Sequence, residues 1–315
     1  FNPDEYLGTY VPMFRGSDKE KIIVRDMLAH QAGLVSWIPF WRQTLNDATG
    51  EFRNRTFQPG PSPRFPVPVA DNLFIHRTYR NRLFKEIRDS KLGDKKYLYS
   101  DLTFIIAPEI VGSITGENWV DFVATNIYTK IGAFDITFNP YTIYPLSRII
   151  PTENDTMFRQ QLIHGYVHDE GAAMLGGISG HAGLFATAND LMKLMEMYRR
   201  MGNYAGEQII AEEVMREYTS YQFSENDNRR GLGFDKPDPR NIELPDNEVY
   251  PARGASPSSF GHSGFTGTFA WIDPEKEITY VFLSNRVYPT RNNNRLSELG
   301  IRAGILQALY DSIIE

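Results

Sequence analysis

Apolar residues recur at helical spacing along the first two thirds of the chain and alternate at strand spacing in the last third. Within 22–30, Ile23, Val24, Met27 and Leu28 share one face, and Gly33 beyond them suits a left-handed stop, so a short helix ending in a turn is predicted. The stretch PGPSPRFPVP, inside 58–68, cannot hold a helix and predicts an extended surface excursion. A helical pattern resumes over 71–90. Ser100 or Asp101 caps a helix over 102–115, where Pro108 kinks it or marks its first turn and Gly116 ends it. A further helix is predicted over 119–130. Thr187 with Asp190 three residues on opens a helix over 191–201, with Leu191, Leu194, Met195 and Tyr198 as its core stripe and Gly202 as its stop. Residues 268–272 and 278–284 read as strands joined by Asp273-Pro274-Glu275-Lys276, an antiparallel hairpin. An amphipathic helix over 296–314 then offers Leu299, Leu306, Leu309 and Ile313 to cover a sheet.

Composition narrows the function classes. A chain of 315 residues with 41% hydrophobic and 23% charged positions builds one large core. A net charge of −6 argues against a nucleic-acid footprint, and the short basic group Arg77, Arg80, Arg82, Lys85 and Arg88 reads as the wet face of a helix. The absence of cysteine removes disulfides, thiolate metal sites and a cysteine nucleophile, and leaves the compartment open. No apolar run approaches the roughly 20 residues of a membrane-spanning helix.

Hydrolysis by a hydroxyl needs a base beside it, because a hydroxyl at its ordinary pKa is a poor nucleophile at neutral pH. No local nucleophile signature is complete. Gly177-Ile178-Ser179-Gly180-His181 and Gly261-His262-Ser263-Gly264-Phe265 each end in the wrong residue for a G-x-S-x-G elbow, and S-x-x-K occurs nowhere. His164 and His168, four apart, could grip a metal on a helix face with Asp169 or His181 as a third ligand. Against this stand the poor helix formers Gly165, Tyr166 and Val167, and the expectation is no metal and no cofactor. The carboxylate pairs Glu212-Glu213 and Asp169-Glu170 are adjacent in sequence, which favours a solvated face over a glycosidase pair.

Other motifs nevertheless follow one another in a telling order. Arg25-Asp26-Met27-Leu28-Ala29-His30-Gln31-Ala32-Gly33-Leu34 resembles the R-D-L-L-x-H-x-S-G-L segment of class C β-lactamase-like enzymes. Tyr99-Ser100-Asp101 resembles their Y-x-N motif with Asp replacing Asn, and His262-Ser263-Gly264 resembles their K-T-G motif in its H-x-G form. Between them lies Gly180-His181-Ala182-Gly183-Leu184-Phe185-Ala186-Thr187. The chain is similar throughout to the serine β-lactamase and penicillin-binding-protein family. It is most similar to the serine hydrolase domain fused behind family 3 glycoside hydrolases, β-N-acetylhexosaminidases, in Bacteroidetes. Residues 151–155, 165–170, 229–237 and 264–268 carry that likeness.

The resemblance implies an α+β fold of the β-lactamase/transpeptidase type: an antiparallel sheet flanked by helices, a helical lobe, and a cleft between them. It implies one domain over 1–315, with 58–260 a mostly helical lobe with insertions and 261–315 the hairpin and helix of the α/β lobe. In that family the S-x-x-K helix lies ahead of the region matching Phe1, so the N-terminal strands and nucleophile helix are expected to be missing from these residues. Tyr99 would then relay the serine proton, its phenol pKa lowered by nearby positive charge. His262 would hydrogen-bond substrate and titrate near neutrality. The amide of Phe265, just past Ser263 and Gly264, would be one oxyanion donor. Asp101, an acceptor only when ionised, alters recognition of a substrate amide. His30 is expected to stabilise the end of its helix and not to react.

Two functions follow from the likeness. One is an exported, periplasmic or cell-surface serine hydrolase acting on a peptide, amide or ester through an acyl-enzyme, with these residues alone inactive. The other is a non-catalytic module holding cell-wall or glycan-linked ligands beside a β-N-acetylhexosaminidase. A small-molecule or peptide substrate is expected, and no nucleic acid.

Overall fold

The computed structural model describes residues 1–245 and 248–313. Its organising element is a three-stranded antiparallel sheet in which Phe269–Asp273 lies between Phe260–Ser263 and Ile278–Phe282. Side chains along a strand alternate between faces, and here both faces are covered. Phe269, Trp271, Ile278 and Tyr280 pack with Leu306 and Tyr310 of the C-terminal helix Ile301–Asp311. Phe260, Ile272 and Val281 pack with Leu194, Met195 and Met197 of the helix Ala188–Arg199 on the opposite face. A second and larger core gathers Leu7, Phe14, Val24, Met27, Ile87, Leu102 and Ile106 into the helical lobe.

Several predicted elements appear with altered bounds. The helix expected over 22–30 is Val24–Leu28, and its left-handed stop is taken first by His30, at φ +56, with Gly33 at φ +77 behind it. Over 71–90 the helix is confined to Tyr79–Asp89, because Leu73 and Ile75, two apart and both buried, enter the strand Leu73–Ile75. That strand pairs with Val67–Ala70 and Phe57–Gln58, which gives the proline-rich excursion its extended shape. The helix over 119–130 is Trp119–Val123, capped by the side chain of Asn118, continuing as a wide π turn over Ala124–Tyr128. Thr187 caps Ala188–Arg199 by accepting the Asp190 amide at 3.3 Å. The terminal helix breaks at Gly300, φ +58, into Arg295–Glu298 and Ile301–Asp311. Leu299 is consequently exposed, whereas Leu306 is fully buried; Ile314 lies outside the described residues.

Asp101–Thr115 runs unbroken through Pro108. Proline removes the amide that would bond the carbonyl four residues back, so Phe104 has a freed acceptor. Gly180 closes over that carbonyl, and a Cβ there would lie 2.4 Å from the Phe104 oxygen. The glycine thus seats the 176–183 loop on the helix that begins with Asp101.

The hairpin of Pro151–Asp155 and Gln161–His164 is fastened by a fully buried ion pair. Asp155 accepts the amides of Met157 and Phe158 at 2.9 Å and the Arg159 Nε at 2.8 Å. Arg159 in turn donates to the carbonyls of Val167 at 2.7 Å and His168 at 2.6 Å, fixing the approach to Asp169. Removing one partner of such a pair strands a buried charge, so Asp155→Ala is expected to lower stability by about 3–5 kcal/mol in urea unfolding. A loss under about 1 kcal/mol would show that the pair does not organise this hairpin.

Candidate active site

Tyr99, partly exposed, is held by residues from three distant parts of the chain. The ring of His30 lies against it with centroids 4.3 Å apart, and His262 lies 6.0 Å away on another side. The guanidinium of Arg230 sits 5.6 Å from the centre of the same ring. His30 is buried, and its Nδ1 accepts the Ser100 amide at 3.1 Å, so the proton of the neutral ring is on Nε2. Burial foremost, then the charge of Arg230, hold His30 down at about 3, so it is a neutral shelf at physiological pH. It does more than end its helix.

Arg230 is itself buried and pairs with Asp235 at 2.6 Å, while Tyr250 donates to the other oxygen of Asp235 at 3.0 Å. This cluster sets the electrostatics of the two expected catalytic groups. Burial and the charge of Asp101 push the Tyr99 phenol up to about 12, against the opposing pull of Arg230. The phenol is therefore raised, where a lowered value was expected, because the carboxylates and desolvation outweigh the one nearby cation. His262 is shifted below its ordinary value by burial and by Arg230, with Asp235 opposing, so it stays neutral at pH 7 instead of titrating there. Its Nδ1 lies 2.8 Å from the Ser263 carbonyl, which only accepts, so Nδ1 carries the proton and Nε2 presents a lone pair.

The strand carrying His262 ends in a turn that requires its glycine. A Cβ on Gly264 would lie 2.1 Å from the Thr268 hydroxyl oxygen. Past it, Phe265 is exposed, and its amide donates to no acceptor among the described residues. Its carbonyl accepts from Arg286 at 2.9 Å, and Arg302 donates to the Gly264 and Thr268 carbonyls at 3.3 and 3.1 Å. The turn is bolted down with its amide free, as an oxyanion donor must be. Ser263 pairs with Phe269 across the strands.

Asp101 opens the helix Asp101–Thr115 and faces a polar chain. His181 lies 2.8 Å from Asp169 through Nε2 and 2.8 Å from the Ser179 hydroxyl through Nδ1. Asp169 also caps the helix Glu170–Met174 by accepting the Ala172 amide at 2.7 Å, and these bonds hold it down at about 2 despite burial. Burial raises Asp101 to about 6, with Asp169 adding to the rise and His181 opposing it. Near neutrality a fraction of Asp101 is thus a protonated acid, able to donate as the usual asparagine does. Ser179, buried within the 176–183 loop, is a partner of His181 and not an exposed nucleophile.

The metal alternative fails on geometry. His164 lies on a strand, its Nε2 2.6 Å from the Ile149 carbonyl, while His168 lies 2.9 Å from Glu153 and packs on Phe265. Sequence reasoning gave no individual role to Arg230, Asp235 or Tyr250, and it weighed Asp169 and His181 as metal ligands and Ser179 as a nucleophile without seeing that they form one hydrogen-bonded chain. The stretch Arg229–Pro237 did carry family likeness, but no local pattern points from it to Tyr99.

The β-lactamase family model matches residues 1–304. The chain belongs to the β-lactamase family. Curated relatives described as "Putative D-alanyl-D-alanine carboxypeptidase", from Escherichia coli strains K12 and O157:H7, are 28% and 33% identical over 93% of this chain. The chain spans 66% of the length of each, about two thirds. Among solved structures, a penicillin-binding protein homologue from Caulobacter crescentus superposes with a TM-score of 0.60 at 16% identity, over 99% of this chain and 76% of that one. A class C β-lactamase from Rhodobacter sphaeroides gives 0.56 at 16% identity, over 97% and 79%. The fold of this β-lactamase-family chain is accordingly of the β-lactamase/transpeptidase type.

The raised Asp101 makes a signed prediction. A carboxyl titrating near 6 in the fold and near 4 when unfolded favours the folded state only while protonated, so its contribution falls as pH climbs from about 4 through 6. Asp101→Asn should therefore gain stability relative to wild type between pH 5 and 7 and match it most closely in acid, read by urea midpoints across pH. Equal midpoints at every pH would show that Asp101 titrates as an exposed carboxylate.

Proposed function

We propose that this chain supplies the proton-relay and oxyanion side of a serine hydrolase site that cleaves the terminal amide of a D-alanyl peptide through an acyl-enzyme. The nucleophilic serine and its lysine come from outside residues 1–315. The observation that supports this reading is the meeting of Tyr99 and His262, rings 6.0 Å apart, with His262 on the strand that runs into the turn whose Phe265 amide has no acceptor among the described residues. The relatives described as D-alanyl-D-alanine carboxypeptidases supply the substrate class, and the resemblance to domains fused behind family 3 glycoside hydrolases supplies the setting, an exported protein working at the cell wall.

Each residue then has a defined task. Tyr99 takes the serine proton as the hydroxyl oxygen attacks the peptide carbonyl, and returns it to the departing amine. The Phe265 amide donates to the carbonyl oxygen as the C=O π pair moves onto that oxygen. His262 accepts a substrate N–H at Nε2, and protonated Asp101 donates to a substrate carbonyl as an amide would. Water then attacks the acyl ester, its proton passing through Tyr99 to the serine oxygen as the acyl C–O bond breaks, which releases the peptide acid and the serine hydroxyl.

A second reading is favoured by one observation: S-x-x-K is absent from residues 1–315, and Tyr99 at about 12 is a poor base as it stands. On that reading the cleft binds cell-wall or glycan-linked ligands without turning them over. Intact-mass analysis with a fluorophosphonate separates the two. The 315 residues alone should take up no label, while the parent polypeptide should take up one, on a serine outside them. Tyr99→Phe in the parent should slow labelling by about 10²–10⁴-fold. No label on folded parent protein would establish the binding module, and label on residues 1–315 would overturn the placement of the nucleophile.

A further inference from the structure

The cleft leaves the most strongly charged stretch of the chain without a role. Residues 53–88 hold eight arginines and lysines against two carboxylates, in a protein whose net charge is −6. Part of this charge is neutralised within the fold: Arg53 pairs with Asp47, Arg80 with Glu109 and Lys85 with Asp89, while Arg88 donates to the Arg15 carbonyl. Arg55, Arg64 and Arg82 meet no carboxylate among the described residues. All three line one pocket of about 500 Å³, together with Asn54, His76 and Tyr79, and no Asp or Glu contributes to its wall.

The pocket is built by the fold and not by chance proximity of long side chains. The His76 amide donates to the Thr56 carbonyl at 3.0 Å and the Arg77 amide to the Arg64 carbonyl at 2.9 Å, tying three segments into one floor. The Thr56 and Tyr79 hydroxyls meet at 3.2 Å beneath it. Arg82 rests its guanidinium 4.8 Å above the Tyr79 ring, and His76 is steered by Thr78 at 2.9 Å and by the edge of Phe65. Arg82 and Tyr79 belong to the first turn of the helix Tyr79–Asp89, whose dipole adds positive potential at that end.

Three guanidinium groups around one cavity repel each other, and an anion seated between them removes that cost while gaining charge-assisted hydrogen bonds. A planar carboxylate offers two oxygens in one plane. A phosphate offers three in a tetrahedral array, matching donors that arrive from the 54–55 turn, the 62–65 hairpin and the helix. We infer that this pocket binds a phosphate-bearing ligand carrying two or more negative charges, a second site that shares no residue with the catalytic cleft. The cavity volume suits a diphosphate or a phosphorylated headgroup better than a lone small anion.

The test uses the 315-residue protein and two probes. Calorimetric titration with pyrophosphate should give one saturable site, weakening steeply from low to physiological salt. Arg64→Gln with Arg82→Gln should weaken it by at least about tenfold, whereas Arg80→Gln, whose partner is Glu109, should leave it unchanged. Co-sedimentation with phosphatidylglycerol vesicles, against phosphatidylcholine controls, identifies the source. Vesicle binding displaced by pyrophosphate assigns a lipid headgroup, and pyrophosphate binding without vesicle binding assigns a soluble phosphate. Saturable binding of neither probe, or unchanged affinity in the double variant, would overturn the site.

Discussion

One short segment, 228–235, ties the Val24–Leu28 helix to the central sheet and passes behind Tyr99. Toward the helical lobe, the Asn228 side chain donates to the Ala29 carbonyl at 2.9 Å, and the Gly233 amide donates to Leu28 at 3.1 Å. Toward the sheet, Asp235 and Gly261 exchange backbone hydrogen bonds at 2.8 and 3.0 Å. Between these anchors the buried Arg230–Asp235 pair sits behind Tyr99. Such a pair adds little stability beyond a well-packed apolar substitute, but breaking it leaves a buried charge with no partner, so it penalises any other arrangement of the lobes. The distance between His30 and His262, and hence the slot that Tyr99 occupies, follows from this strap.

What could be read along the chain and what could not divide on physical lines. The His262-Ser263-Gly264 triplet was legible through its likeness to a family motif, and the structure adds why its glycine is needed, facing Thr268 four residues on. The capped helix Ala188–Arg199 and the hairpin of Phe269–Asp273 with Ile278–Phe282 were legible because cap, turn and periodicity all lie within the element. Residues 71–75 were not, because Leu73 and Ile75 satisfy a strand's alternation while their neighbours satisfy a helix, and only pairing with Val67–Ala70 decides between them. The shift of the Tyr99 phenol was only partly legible: Asp101, two residues on, lies in local spacing, whereas the burial against His30 and His262 and the opposing charge of Arg230 are properties of the fold.

The substitution of Asp for the usual Asn at 101 also makes sense only in three dimensions. An ionised carboxylate there would face Asp169, itself held anionic by His181 and the Ala172 amide. Burial is the larger cause of the rise at Asp101, and the Asp169 charge adds to it against the opposing His181. Asp169 holds the cap and the histidine; Asp101 holds neither. Burial and that neighbouring charge together restore to part of Asp101, in its acid form, the donor that replacing asparagine removed.

The same electrostatics limits how Tyr99 works. Bringing a phenol from about 12 to neutrality requires roughly 7 kcal/mol, at 1.36 kcal/mol per pKa unit. In the proposed site, a lysine ammonium about 4 Å away would supply roughly 4 kcal/mol at an effective dielectric near 20, and less where the exposed edge of the ring admits solvent screening. One such cation would leave Tyr99 mainly protonated at neutral pH. In the proposed role Tyr99 would then act as a hydrogen-bonded relay, passing a proton on toward the lysine as it receives one from the serine, with no standing phenolate needed. A rigid shelf suits that task better than a strong base, because concerted transfer depends on donor and acceptor distances being held. His30, neutral and stacked on the ring, supplies such a shelf without adding a charge that would have to be compensated in the interior.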